Sequence, residues 1–293
     1  MKKIAIATLL AAATLTATAQ VSVSGKISEF VDNKKVGAVN TTGLVSNVSK
    51  IVFSATEDIG NGLQARAVLD TTLAANDPVT GADTKLGDRQ STVGLVNKLG
   101  SVDLGRNLHS HFSTILSNDV FSVLYGTIAG DVHNLRGLRL SNGTFFTVTP
   151  IKDVTATYAR TQTTTGTEAI SYSAGAKLFG INAVVSQYEQ GAEKSTLYAA
   201  NTTVGKTQLV YTHSEDKGVV AKTGDLIGVS QAFGPVTAKA SYGRTNTNVK
   251  AYALGADYNF SKRTAAGIAY RNVNVAGTAD DVKQIGLGIT HSF

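Results

Sequence analysis

Val282-Lys283-Gln284-Ile285-Gly286-Leu287-Gly288-Ile289-Thr290-His291-Ser292-Phe293 is the stretch on which the fold turns. In an extended chain, Ile285, Leu287, Ile289, His291 and Phe293 fall on one face, and Gln284, Gly286, Gly288, Thr290 and Ser292 on the other. One face suits lipid and the other suits water. The same split recurs upstream, with Tyr252, Leu254, Ala256, Tyr258 and Phe260 set against Ala251, Ala253, Gly255, Asp257 and Asn259. It recurs again with Val236, Ala238, Ala240 and Tyr242 set against Thr237, Lys239 and Ser241.

Five alternating segments, at roughly 208–215, 225–233, 236–244, 249–260 and 264–274, lead into this closing strand. Their connections alternate in length. Phe233-Gly234-Pro235 and Ser261-Lys262-Arg263 are tight, whereas 216–224 and 275–281 are longer and polar or glycine-containing. Short turns on one rim and longer loops on the other are the layout of an outer-membrane barrel. Carried backward, the rule places tight turns at 59–62, 98–101, 150–153, 178–181 and 204–207. The expected architecture is all-β, a 16-stranded antiparallel transmembrane β-barrel whose even strand number brings both ends of the mature chain to the same side.

The amino terminus has a different character. Lys2 and Lys3 precede an apolar stretch from Ile4 to Ala13, and Ala17-Thr18-Ala19 stands just before Gln20. That is the layout of a cleavable secretory signal, so residues 1–19 are read as removed and 20–293 as the barrel. Without Lys2 and Lys3 the 27 basic residues become 25 against 21 acidic, an excess of about +4 with no basic block, which implies no nucleic-acid partner. With no cysteine in an exported chain, stability must come from backbone pairing and packing. No later segment approaches the roughly 20 consecutive apolar residues that a membrane helix requires. Barrel strands alternate between lipid and lumen, and so give a polar-looking composition.

One connection breaks the pattern. From Asn107 to about Asn134 it is far longer than its neighbours, and Phe112, Ile115, Leu116, Val120, Phe121, Val123, Leu124 and Tyr125 within it need somewhere to pack. A loop folded into the lumen would provide that place.

Four stretches resemble the Gram-negative porins of the Neisseria and β-proteobacterial type. Glu57-Asp58-Ile59-Gly60-Asn61-Gly62-Leu63 resembles that family's first periplasmic turn, and Ser261-Lys262-Arg263-Thr264 a late one. Arg89-Gln90-Ser91-Thr92-Val93-Gly94-Leu95 with Gly100-Ser101-Val102-Asp103-Leu104-Gly105-Arg106 resembles its fourth and fifth strands, and Gly288 to Phe293 its ending. The resemblance implies a homotrimer of 16-stranded barrels in the outer membrane, among lipids and lipopolysaccharide. It implies that the third external loop, here 107–134, folds inward to narrow a channel passing ions and small hydrophilic solutes without chemistry. It also makes Phe293 part of the signal that the barrel-assembly machinery recognises. The external loops look shorter than is usual in the family, and the loop-three region lacks the Pro-Glu-Phe-Gly stretch of some enterobacterial relatives.

Charges at the narrowest part set a channel's selectivity. If Val23, Gly25 and Ile27 face lipid, Lys26 faces the lumen. The same parity places Lys50 there opposite Ile51, Phe53 and Ala55, and Arg66 opposite Leu63, Ala65, Ala67 and Leu69. Charge facing lipid costs about 2–4 kcal/mol near the midplane, so three such cations on consecutive strands read as one basic wall. Arg139 resembles a basic position that follows the family's constriction loop, while the parity of Arg89 and Arg106 is open. Asp119 and Asp131 in the loop stand opposite, and the balance predicts a mild anion preference.

No cofactor or metal is expected. His109, His111, His133 and His213 lack an acidic or cysteine partner set at ligand spacing and read as loop histidines in contact with water. Gly60-Asn61-Gly62 and Gly286-Leu287-Gly288 read as turns and close strand packing, and no Gly-x-Ser-x-Gly elbow supports an enzyme. Tyr242, Tyr258, Phe260, Tyr270 and Phe293 suit an interfacial aromatic girdle. A substrate-specific channel and an adhesin-like barrel are the alternatives to a passive channel.

Overall fold

The computed structural model describes residues 19–73, 85–122, 124–135, 137–161, 166–218, 221–277 and 281–293, so residues 1–18 of the expected signal, and Val123, lie outside it. Period-two alternation becomes strand throughout. The strands are β1 (Gln20–Val36), β2 (in two halves, Val39–Ser46 and Lys50–Gly60), β3 (Leu63–Thr72), β4 (Gln90–Asn97), β5 (Gly100–Leu108), β6 (Arg139–Ile151), β7 (Val154–Thr161) and β8 (Ala169–Leu178). They continue as β9 (Ile181–Gln190), β10 (Glu193–Val204), β11 (Thr207–Lys217), β12 (Lys222–Phe233), β13 (Val236–Thr245), β14 (Val249–Asn259), β15 (Thr264–Val275) and β16 (Val282–Ser292). Each pairs antiparallel with its neighbours, and β1 pairs with β16 from Lys26 opposite Ser292 to Val36 opposite Val282, closing a 16-stranded barrel.

The two halves of β2 both pair with β1, with Glu29 opposite Ser46 and Lys26 opposite Lys50. Asn47, Val48 and Ser49 therefore face only Ile27 and Ser28, and Val48 takes a positive φ of 61°. The ladder bonds lost at this bulge are replaced: Ser28 N–H donates to Ser49 Oγ at 2.9 Å, and Asn47 N–H donates to the Ser28 carbonyl at 2.7 Å.

The apolar parity faces outward. Val23, Val31, Leu254 and Leu287 are 54%, 59%, 55% and 63% exposed, too much apolar surface on one band for a chain surrounded by water. The opposite face of β10–β15 is covered by the long connection 109–138, which contains α1 (Ser110–Ser117) and α2 (Ala129–Val132). Ile115, Phe121, Ile128 and Val132 of this connection join Leu197, Leu226, Ala253 and Val273 of the strands in one buried apolar cluster. Of the apolar residues that looked out of place in a loop, Ile115, Val120 and Phe121 thus bury against residues of the strands, with Tyr125 packed beside them.

Candidate functional site

Cross-strand register assembles a row of cations along β1 to β6. Lys26 on β1 stands opposite Lys50 on β2, and Lys50 opposite Thr72 on β3. Asp70 of β3 links two of the cations, accepting from Lys50 Nζ at 3.2 Å and from Arg89 Nε at 3.1 Å. Arg106, near the end of β5, donates to the Asp88 carbonyl at 2.6 Å and to Ser141. Arg139 at the start of β6 feels the charges of Arg89, Arg106, Asp70 and Asp88, and Lys26 those of Lys50 and Arg89. The register and bulge near Gly105 therefore add Arg89 and Arg106 to the residues expected from parity. Asp88 is tied to Thr72, accepting from its N–H at 2.8 Å and its hydroxyl at 2.6 Å.

Arg66 lies apart from this row. Its partners across the ladder are Thr56 and Gly94, four positions along β3 from Asp70, or about 13 Å at a strand's rise per residue. There its guanidinium grips the Asp103 carboxylate through two nitrogens, with Nε to Oδ1 at 2.8 Å. Asp103 is 5% exposed, so the pair is neutral overall and desolvated on its acidic side. The pair lines a cavity of about 650 Å³ with Asn107, Thr157, Lys177 and the hydroxyl face of α1, Ser110, Ser113 and Ser117.

The two loop carboxylates are engaged within the connection or at its contact with the barrel. Asp119 is 4% exposed and accepts from Phe121 N–H at 3.0 Å and from the Thr127 hydroxyl at 2.5 Å. Asp131 accepts from Arg271 Nη1 of β15 at 3.0 Å; burial pushes its carboxyl above the usual range, while Arg271 opposes that shift. Neither carboxylate presents a bare charge toward the cation row.

Three of the four histidines expected in water are instead buried, a correction with a clear cause, whereas His213 lies half-buried on β11 against Asp225 at 2.8 Å. His109, His111 and His133 are 1%, 2% and 2% exposed, because inward-facing serines and threonines of the strands supply partners that replace water. His111 sits between Ser186 of β9 at 3.2 Å and Ser195 of β10 at 3.1 Å, and Ser195 donates onward to Asp216 at 2.5 Å. His133 sits between Thr212 at 2.7 Å and Ser214 at 2.9 Å, both on β11. Burial pulls both imidazoles down to about 3, with His109 adding to the shift at His111 and Lys222 at His133. His109 caps α1, accepting from Phe112 N–H at 3.2 Å, and stacks on Tyr188 at 4.6 Å. Among the described residues no group of three metal-ligating side chains comes together.

Inward glycines seat the far end of the connection. A Cβ at Gly286 would overlap Tyr125, at Gly255 it would meet Phe121, and at Gly224 or Gly243 it would meet Val132. Tyr125 also stacks on Phe30 of β1 at 4.4 Å and donates its N–H to Asn47 at 2.8 Å. Gly286 and Gly288, read from sequence as strand packing, are where Tyr125 and Phe30 approach the wall. Phe293, past the end of β16, turns its ring outward onto Gly25 of β1.

A family model described as Gram-negative porin matches residues 6–278. The chain belongs to this porin family. As a porin it resides in the outer membrane, where the barrel forms a water-filled channel for ions and small hydrophilic solutes. It is 24% identical to the major outer membrane protein P.IB of Neisseria meningitidis serogroup B, over the full length of both chains. It is 27% identical to P.IB of Neisseria meningitidis serogroup A / serotype 4A, over 91% of each. Among solved structures, the anion-selective porin from Comamonas acidovorans superposes on 94% of this chain and all of its own, with a TM-score of 0.81 at 18% identity. Salmonella typhi OmpF superposes on 93% of this chain and 97% of its own, with a TM-score of 0.77 at 13% identity. These structural likenesses bear on the fold.

Proposed function

We propose that this porin conducts passively with a mild preference for anions, through an eyelet bounded on one side by Lys26, Lys50, Arg89, Arg106 and Arg139. The connection 109–138 forms the other side, folded into the lumen as the third external loop. The carrying observation is the charge balance: five cations gather around Asp70 and Asp88, while Asp119 is held by the loop's own contacts and Asp131 by Arg271 of β15. The burial of Phe121 and Val132 against inward glycines supports the loop's placement. Arg66, matched by Asp103, contributes little net charge.

The Comamonas porin of like fold is described as anion-selective, which agrees with this reading. Export follows removal of residues 1–19, Phe293 serves the assembly machinery, and the outward apolar band meets lipid and two further copies in a homotrimer. Transport involves no chemistry. Reversal potentials in a salt gradient across a planar bilayer test the selectivity: a chloride preference is expected, and a potassium preference overturns it.

A further inference from the structure

We infer that the outer face of β8 to β14 holds one phosphorylated lipid of the outer leaflet, its phosphate between Arg244 and Lys250 and one acyl chain in an alanine-floored groove below them. This rests on reading the rim that carries the connection 109–138 as the external one.

The head of the site is a pair of cations that the sheet sets against each other. Arg244 of β13 and Lys250 of β14 are direct cross-strand partners, and both point outward, because Gly243 and Ala251 beside them face the apolar cluster inside. Like charges directly opposite are destabilising, and an anion between them removes the repulsion. The surrounding carboxylates are committed elsewhere. Asp225 of β12 reaches Arg244 only through Nε, at 3.4 Å, and already accepts from His213 Nδ1 at 2.8 Å and from the Tyr211 hydroxyl at 3.1 Å. Glu215, two strands from Arg244 on β11, faces His213 at 3.8 Å. Asp281 is taken up by Asn274 Nδ2 at 2.9 and 3.0 Å and by Val275 N–H at 3.2 Å. Both Nη nitrogens of Arg244 and the Nζ of Lys250 have no acceptor among the described residues, and the Arg244 side chain is 67% exposed. A phosphate accepts from a guanidinium fork and an ammonium together.

What lies beneath the cations makes this the phosphate of a lipid. Tyr242 and Tyr252 stand opposite each other two residues closer to the membrane centre, as rings at the interface do. Arg244, Tyr242 and Tyr211 line a cavity of about 240 Å³, and Tyr211 also lines a groove of about 590 Å³ on the same outer face. Ala174, Ala176, Ala183 and Ala200 floor that groove, with Val185 and Tyr198 as walls. Leu178, Ile181 and Leu209 project outward around it, so the four alanines leave a depression whose lost contacts a slender apolar chain restores.

The groove also runs in the right direction. Ala183 lies two residues into β9, Tyr211 four into β11 and Arg244 eight into β13, each counted from the short-turn rim, so the path climbs toward the external side. Eight less two is a climb of six residues, about 20 Å along a strand and about 15 Å along the membrane normal at the usual tilt, which is the depth of one leaflet.

The test is native mass spectrometry of the full mature porin in mild detergent, with bisphosphorylated lipid A added as the probe. One tightly held lipid A per barrel is expected, and phosphatidylcholine, which has no net charge, should bind at least about tenfold more weakly. Arg244→Gln and Lys250→Gln should each raise the lipid A dissociation constant about tenfold. Ala183→Leu should do the same with the cations intact, since it fills the groove with a side chain at home in lipid. Lys283→Gln is the control: Lys283 of β16 also faces a lysine, Lys35 of β1, but stands above Val31 and Leu287 and not above alanines, so binding should not change. Equal weakening by Lys283→Gln, or no effect of Ala183→Leu, overturns the site, because charge alone then attracts the lipid. Loss of associated barrels in place of lipid in Ala183→Leu means that a second copy fills the groove, and overturns it as well. All these side chains face away from the lumen, so unit conductance confirms a folded channel in each variant, and the outcome is independent of the ion selectivity.

Discussion

Phe293 and Gly25 close the barrel together: Gly25 N–H donates to the Phe293 carbonyl at 2.9 Å, Phe293 N–H donates to the Gly25 carbonyl at 3.0 Å, and the Phe293 ring covers Gly25 on the outer face. The ring fits only because position 25 has no side chain. Phe293 keeps 45% of its surface exposed, so it both seals the β1–β16 seam and presents an aromatic edge outward.

Removing either half of that relationship should impair assembly more than conduction. Phe293→Ala loses a partly buried aromatic ring, worth about 1–2 kcal/mol at the area scale of apolar burial. Gly25→Val keeps the ring but displaces it. Both variants should show a several-fold lower yield of folded, membrane-inserted protein, read by its anomalous migration before heating. Unit conductance of the channels that do insert should stay unchanged. Normal yield with altered conductance would falsify this assignment.

Much of this was legible in the sequence, because a strand's parity needs only local information. The closing strand, the tight turns near Asn61, Asp153 and Gly234, and the inward side of Lys26, Lys50 and Arg66 all follow from period two. Height along the barrel does not, since it depends on how successive strands are staggered. Arg66 shares a face with Lys50 but meets Asp103, 37 residues later and two strands on, at a different level. The burial of His111 was hidden for the same reason: its partners Ser186 and Ser195 lie 75 and 84 residues away, and its polarity alone suggests water. The bulge at 47–49 has no local signature beyond a polar run. The glycines at 286 and 288 were visible, but the rings they admit come from Tyr125 and Phe30, far along the chain.

Gly286 offers a direct test of how the loop end is seated. Gly286→Val would press on Tyr125 and push it from β16 toward the cation row; overpacking of this kind costs about 1–3 kcal/mol. Unit conductance should fall and open-channel noise rise. Adding Tyr125→Ala removes the clash and should restore the noise to near its original level. If the double variant is as noisy as Gly286→Val alone, Tyr125 is not what the glycine accommodates.

Asp103 sets the weight of Arg66. With its carboxylate in place the guanidinium is matched; Asp103→Asn would leave Arg66 as an added lumenal cation near the α1 cavity. The chloride-to-potassium permeability ratio should rise by roughly twofold, more at low salt than at high, because screening weakens a lone charge. Arg66→Gln, which exposes Asp103 instead, should lower the ratio. Variants that move the ratio in the same direction would show that the pair is not the controlling element.

The buried histidines predict an acid-sensitive loop. His111 and His133 are held down to about 3 against an ordinary value near 6.5, so the docked loop excludes protons that a released loop would take up. The sign follows: their contribution to docking is complete above pH 6.5 and is lost progressively as pH falls from 6.5 toward 3. At pH 5 each imidazole would weaken docking by about 2 kcal/mol. His133 faces Lys222, His111, His213 and Asp225; the three cationic or protonatable neighbours oppose its protonation and Asp225 favours it. His111 faces His109, with Asp216 reached through Ser195. Open-channel noise and protease sensitivity of the 109–138 connection should therefore rise as pH drops below about 6, well before the barrel strands come apart. His133→Gln keeps an amide able to bond Thr212 and Ser214 without titrating, and should flatten part of this dependence. A noise profile that is independent of pH in the parent, or unchanged in slope by His133→Gln, would show that these imidazoles do not control the loop's hold on the wall.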